Sequence, residues 1–542
     1  LSLSLQSNGT GENLNNLDAK LETNISKFQL QEYVINDLSL EGNFKDGVGV
    51  ISSNYKDDNL NLNLNGSIIL DSVATQANVD LNVIGADLQA LGLLNRNVKT
   101  GMDVSADFKG NIDSYNIKST IKNGVVVYDN NTYLLGAVNA EAFINKDTTA
   151  VKINNKMLNV NLQSNTDPET FSKGLQRHVL SYFYRDDKVS DTIKNPINLK
   201  LEAKISQTSF IKDVFLVNLK DIDTIDIALD FKEQERLLKA NVSAPFINYS
   251  GNKLDSLSFS MDTDKESFNF NLGFKNIKAG PVDVPKTVIT GNQTNNELAL
   301  NFLGFHKGEK LMNVNTKITG NRDRLKFTVN KDSLILNKSK WSIPEENEII
   351  LENNNLTFSN FRINKENQSI EITNNLKNVQ KNHIALVYNN FNINEVFNYL
   401  NPEDEIANGV LNGDFVLVEP FTNTGVITDV SVSNFKILNT NLGKLSMDAK
   451  SLGNNKYNFN TYLKEGDVDL DLKGGYFVNN NIANLNLDLD INQFKMNALK
   501  TLSLGEIKET SGSFSGEFKV TGTTSKPKYS GRLTFDNAVF NI

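Results

Sequence analysis

Leu485-Asn486-Leu487-Asp488-Leu489-Asp490-Ile491-Asn492 alternates apolar and polar residues without a break. Successive side chains of a strand point to opposite faces, so this stretch is a strand with one dry face and one wet face. The pattern recurs far away in the chain. Leu60, Leu62 and Leu64 alternate with Asn61, Asn63 and Asn65, and Val468, Leu470 and Leu472 alternate with Asp467, Asp469, Asp471 and Lys473. A sheet that carries one dry face through hundreds of residues must curl it around something: a second sheet, its own far edge or an apolar ligand. Clusters such as Lys56-Asp57-Asp58-Asn59, Asn123-Gly124 and Gly453-Asn454-Asn455-Lys456 read as tight turns between antiparallel neighbours. The expected fold is mainly β: an elongated antiparallel repeating groove, a taco-shaped sheet with a few short helices. The competing arrangement is a pair of β-sandwiches or a β-helix whose apolar faces meet.

Composition narrows the function. Among 542 residues, 55 Lys plus Arg face 64 Asp plus Glu, a formal net charge of -9 with the signs mixed along the chain. Nucleic-acid phosphates need a concentrated basic surface, so no nucleic-acid partner is expected. The absence of cysteine fits a periplasm or cell exterior. No window approaches the ~18 apolar residues of a membrane span. The chain opens at Leu1-Ser2-Leu3-Ser4-Leu5 and closes at Phe540-Asn541-Ile542, both apparently within strands. It therefore reads as cut from a longer polypeptide, with any anchor or signal outside it.

Chemistry-bearing motifs are sparse. His178, His306 and His383 are widely separated and have no metal-ligand spacing. There is no glycine-rich phosphate loop, no G-x-S-x-G elbow and no cysteine nucleophile. Asp221-Ile222-Asp223-Thr224-Ile225-Asp226 lacks the glycine and terminal glutamate of a calcium loop. Neither an enzyme nor a cofactor is expected. The apolar face becomes the working surface, with Leu60, Leu62, Leu64, Val468, Leu470, Leu472, Leu485, Leu487, Leu489 and Ile491 as the candidate lipid-binding residues. An acyl chain needs only continuous apolar contact, at ~0.8 kcal/mol per buried methylene.

Nine prolines and no linker-like composition give no clean domain boundary. A larger unit repeats instead. Short apolar stretches with helical spacing at 87–94, 391–400 and 494–502 are each followed by a glycine and a strand carrying Phe: Gly101 to Phe108, Gly409 to Phe415 and Gly512 to Phe518. In the last two units an Asn follows 19 residues after the Phe, at Asn434 and Asn537. A fainter copy spans 209–250, with a helical stretch at 210–217. The clearest helix is 166–186, where Thr166 and Glu169 form a capping box, Pro168 suits the first turn, and Phe171, Leu175, Val179 and Phe183 recur at four-residue steps. Its expected role is core packing over a groove end, the alternative being a gate or a membrane-surface helix. This divides the chain into groove at 1–165, helix insertion at 166–190, groove at 191–340 and a last groove segment at 341–542.

That last segment carries a family resemblance. Ser511-Gly512-Ser513-Phe514-Ser515-Gly516 through Pro527-Lys528-Tyr529-Ser530-Gly531-Arg532-Leu533 to Asn537-Ala538 resembles the G-x-F-x-G then P-x-x-x-G-x-L-x-x-x-N-A pattern of the TamB/AsmA-like family of Gram-negative envelopes. Trp341-Ser342-Ile343-Pro344 followed by Asn360-Phe361-Arg362-Ile363, and Asn441-Leu442-Gly443-Lys444-Leu445, look like the same family. The Asn- and Lys-rich usage suggests an AT-rich lineage such as Bacteroidota. The resemblance implies a periplasmic β-groove bridging the two membranes. It implies an N-terminal inner-membrane anchor outside this chain and a TamA- or BamA-like outer-membrane barrel as partner. It further implies phospholipid transport, with assistance to outer-membrane protein assembly as the alternative. From 1 to 340 only the repeat texture agrees.

Overall fold

The computed structural model describes residues 2–30, 33–183, 195–206, 209, 211–216, 218–321, 323–353, 355–451, 453, 455–479, 482–503 and 506–541. The protein is mainly β. Its strands join into a 28-stranded and an 11-stranded sheet, antiparallel throughout the pairings and not closed into a barrel. Sequential strands pair in meander fashion, as the short polar turns require. By internal contacts the chain divides into a first unit (Leu1–Ser181, Asp187–Gly251 and Asp255–Glu266) and a second (Tyr182–Asp186, Asn252–Leu254 and Ser267–Ile542).

Among the described residues helix is confined to short pieces. The main one, α1, runs Pro168–Ser181 in the first unit; positions 184–186 of the expected 166–186 helix lie outside the described residues. Its cap is Asp167 rather than the expected Thr166–Glu169 box. The Asp167 carboxylate accepts the Thr170 backbone N–H at 2.9 Å and the Thr170 hydroxyl at 2.6 Å, which holds it below the usual carboxylate range. Pro168 occupies the first helical position, where no N–H is needed. Phe171, Leu175 and Val179 pack on a core of Ile197, Leu199, Phe231 and Leu238, so α1 is a core element over one edge of the sheet. Gly174 permits the approach, since a Cβ there would lie 2.2 Å from Ile197 Cδ1. The Arg177 Nε donates at 3.1 Å to Glu233, a carboxylate only 2 % exposed that also accepts the Ile197 backbone N–H.

The repeating unit has a structural identity. The helical stretches expected at 391–400 and 494–502 shrink to α2 (Asn394–Phe397) and α3 (Met496–Leu502). The stretch at 87–94 forms consecutive turns closed by Gly92 at φ 71°, not a helix. The fainter copy is a π-helical turn at Ile211–Phe215, with 210 and 217 outside the described residues. Two further 3-10 turns, Leu14–Asn16 and Glu233–Glu235, carried no helical spacing in the sequence. In the three clear units the strand entering the turn carries a bulge, between Val83 and Ala86, Tyr388 and Phe391, and Ile491 and Phe494. The strand leaving it has its glycine beside a second bulge that contains Asn123, Asn434 or Asn537 at φ 51°, 52° or 47°. Asn tolerates the left-handed region, and each bulge bends its strand where a cap sits. Asn123-Gly124 is therefore a bulge inside the strand Tyr115–Tyr128, not the turn its composition suggested.

His178 lies beneath α1, 4 % exposed, with Nε2 3.0 Å from the Thr263 hydroxyl and its ring stacked obliquely 5.0 Å from Phe231. Burial, reinforced by the Arg236 charge, pushes its pKa down to about 4 from 6.5. Folding therefore favours the neutral ring. That contribution is complete above pH 6.5 and is lost as pH falls through about 4, with a ceiling of ~3 kcal/mol. The urea midpoint of wild type should drop between pH 7 and pH 4 by more than that of His178→Gln. Parallel curves for the two proteins would refute the buried neutral histidine.

Candidate functional site

Direct cross-strand partners share a face, so the register shows whether the dry face is continuous. In the first unit one row runs Gly9, Ala19, Phe44, Gly49, Ile68, Ala77, Phe108, Ile117, Ala142, Val151, Leu162, Leu201, Leu229, Ala240. It crosses 14 strands and contains no ionisable or even hydroxyl side chain. At ~4.8 Å between strands it extends ~60 Å along the sheet. A second row parallels it from Gly42 and Ile51 to Val160, Ala203, Ile227 and Val242. In the second unit a row runs Ile372, Leu386, Phe415, Thr428, Ala449, Phe459, Gly474, Leu487, Val520, Tyr529. Its neighbour begins at Ile363 and passes through Tyr388, Met447, Leu472, Leu489 and Phe518 to Gly531.

Gly49 and Gly531 in these rows, and Gly291 opposite Phe270 in another strand pair, sit beside large rings. A Cβ on Gly49 would meet the Phe44 ring at 2.2 Å, on Gly291 the Phe270 ring at 2.0 Å, and on Gly531 the Phe518 ring at 2.7 Å. The ring covers the glycine backbone and keeps the row apolar where a side chain is missing. Phe494, Phe514 and Phe535 extend the dry surface as a ladder, with centroids 4.9 and 6.0 Å apart.

Nine of the ten sequence-predicted residues are half-buried: Leu60, Leu62, Leu64, Leu470, Leu472, Leu485, Leu487, Leu489 and Ile491. Leu472, Leu487 and Leu489 lie in the long rows, and Leu470 pairs with Ile491 in a third. Leu64 sits opposite Leu81, which continues to Val104 and Ile121. Leu60 and Leu62 pack against a core of Tyr33, Ile35, Tyr55, Ala86 and Leu91 at one edge of the first unit. Val468 is different. It is 2 % exposed, enclosed with Leu442, Leu463 and Ala498 under α3, and offers a ligand no surface. The wet face alternates as expected at Asn486, Asp488, Asp490 and Asn492, all exposed, with Asp488 3.3 Å from Lys519. Asp469 and Asp471 are half-buried because Lys464 pairs with both, at 2.8 and 2.6 Å.

The caps close edges, not the middle. In the first unit the 88–94 turns and the 211–215 turn share one edge, where Val214 joins Val98, Val126 and Leu135, and α1 lies at the opposite edge. In the second unit α2, α3 and the Trp341 segment share an edge. Between these caps most row side chains are half-buried, with Thr428 enclosed at 2 % exposure and Tyr529 open at 70 % as the extremes. The sequence reading missed most of the first-unit rows, although Lys200-Leu201-Glu202-Ala203-Lys204-Ile205 alternates as strictly as the stretches it chose. A scan against protein-family models found no match to this chain, and a search of the curated proteins found none either.

Because the chain lacks cysteine, single thiols report cover directly. Leu487→Cys should react with a small maleimide in the folded protein at least ~10-fold faster than Val468→Cys, which requires local opening of α3. Equal protection at the two positions would mean that a further layer covers the dry face.

Proposed function

We propose that the dry face binds acyl chains and conducts phospholipid along the sheet. The observation that supports this most is the register. Rows without a charged residue run across 14 strands in one unit and ten in the other, flanked by caps at the edges. Each methylene laid on such a row leaves water for ~0.8 kcal/mol, while the weak, non-directional contact leaves the chain free to slide. The polar backs of the same strands keep the protein in water. The resemblance of the 511–538 stretch to the TamB/AsmA-like family supports a periplasmic setting between inner and outer membranes, with a TamA- or BamA-like barrel as partner and no catalytic step.

A second reading, a scaffold for outer-membrane protein assembly, draws on the strand Lys526–Asn541. Among the described residues it pairs with Glu509–Thr523, and it exposes Tyr529, Phe535 and Val539. A long strand edge, where open, can template another strand.

A photo-crosslinker replacing Leu487 should capture phospholipid and one replacing Asp488 should not. The pair Leu487→Asp with Leu489→Asp places unpaired charge among hydrocarbon, at several kcal/mol, and should abolish capture and transport. Asn486→Asp is the matched wet-face control; Asn492 is less suitable because its amide donates to Asp469 at 2.8 Å. Equal capture from both faces refutes the conduit, and capture of nascent outer-membrane protein in place of lipid transfers the function to the scaffold reading.

A further inference from the structure

The wet face is not wet everywhere. Gly49 and Ile68 belong to a dry row, so Val48, Val50 and Ile69 point the other way, yet all three are aliphatic and exposed. Val48 lies directly opposite Ile69. Three turns at the same end of these strands add Leu14, Val73 at 73 % exposure and Ile112 at 93 %. Single exposed aliphatics need no explanation; six gathered at one corner of the first unit do.

Hydrogen bonds hold the turns together. The Gly47 N–H donates to the Leu17 carbonyl at 3.0 Å, and the Leu70 N–H to the Gly47 carbonyl at 2.8 Å. The Ser72 N–H donates to the Asn15 side chain at 3.1 Å, and the Asn111 amide to the Val73 carbonyl at 2.9 Å. The two most exposed tips are also capped from within. Asp71 accepts the Val73 and Ala74 N–H groups at 2.7 and 3.2 Å, and Asn111 accepts those of Asp113 and Ser114 at 2.9 and 3.0 Å. These donors do not depend on water, so the tips can leave it at little polar cost.

Composition and charge narrow the partner. A standard protein interface engages roughly 20–30 residues a side and takes its affinity from Trp, Tyr and Arg anchors. Six aliphatic side chains without such an anchor fall short of that. A bilayer needs no matching cavity, and attachment to it scales with the apolar area buried. Lys45 and Lys109 share a wet-face row with Val48, Ile69 and Gln76 and make no ion pair among the described residues. The Lys20–Glu22 pair lies beyond Asn43 and is neutral as a pair. Against the two lysines, Glu12, Asp18, Asp46, Asp71 and Asp113 stand on or beside the turns. Mixed signs with acids in excess suit headgroups that carry both phosphate and ammonium, and oppose a strongly anionic surface.

We propose that this corner is a membrane-contact surface, resting on a zwitterionic bilayer with Val73 and Ile112 dipped past the headgroups. The proposal goes beyond the conduit reading and does not require it, because the corner is built from the wet face and the turns and not from the apolar rows.

With no cysteine in the chain, a polarity-sensitive NBD label can be placed on one thiol at a time. On vesicles of phosphatidylcholine and phosphatidylethanolamine, NBD at Ile112→Cys should brighten and shift to the blue. NBD at Asn241→Cys, exposed on the wet face elsewhere in the unit, should do neither. Val73→Ser with Ile112→Ser should raise the vesicle concentration for half-binding in flotation at least ~10-fold. Both side chains are exposed, and an unchanged circular dichroism spectrum verifies the fold. Phospholipid capture by a crosslinker at position 487 should survive that pair of substitutions. No response at 112, or an equal response at 241, overturns the contact. Binding confined to phosphatidylglycerol vesicles and abolished by salt overturns the apolar insertion. Brightening that rises with protein concentration in the absence of vesicles assigns the corner to a second copy of the chain and overturns the membrane. A response at 112 with no lipid captured at 487 supports this surface and removes the conduit alone.

Discussion

Register is the constraint on which the rest of this structure depends. A single one-residue slip between neighbouring strands would carry every apolar side chain of one strand to the wet face and break each row at that point. The rows nevertheless persist from strand to strand, so each hairpin turn and each bulge must preserve the parity of the pattern. The bulges do this in pairs. The irregularity between Val83 and Ala86 on one strand is followed by that between Gly101 and Asp103 on the next boundary, and the row from Leu81 through Val104 to Ile121 survives both. The positive φ of Asn123, Asn434 and Asn537 is the local cost of that bookkeeping.

Capping explains where the protein gets a conventional core. Enclosed side chains such as Phe231, Val98, Trp341 and Met496 belong to the capped edges of the sheet, and most of each row is half-buried. Stability and function are therefore separated in space. Truncating Phe231 beneath α1 removes a packed ring, a loss of ~3–5 kcal/mol for a buried aromatic. Changing Ile227 in mid-row removes much less packing and alters the surface offered to a ligand.

The fold was legible because alternation is a local signal. Leu485 to Asn492 gives strand, face and burial from eight residues, and the structure places them as read. The departures came wherever the deciding interaction lies outside a short window. Asp167 displaced Thr166 as cap because Thr166 is drawn away, its carbonyl accepting the Thr149 hydroxyl from another strand. Asn123-Gly124 looks like a turn in composition, and only its place opposite Met102, between the Gly101–Val125 and Asp103–Lys122 pairs, makes it a bulge. Val468 alternates like its neighbours but falls under α3, 28 residues onward. Alternation specifies a face; what covers that face is a tertiary fact.

The central claim is that the apolar rows hold lipid and are not a core awaiting a protein layer. Ala203 and Ile227 are direct, half-buried cross-strand partners in the second row of the first unit, outside the capped clusters, and so test it with little loss of packing. The most direct measurement is mass spectrometry of lipid extracted from gently purified protein, comparing wild type with Ala203→Asp plus Ile227→Asp. The account predicts phospholipid bound to the wild-type chain and a marked loss of it from the variant at unchanged strand content. Wild-type protein free of lipid, or equal lipid on both proteins, would contradict it.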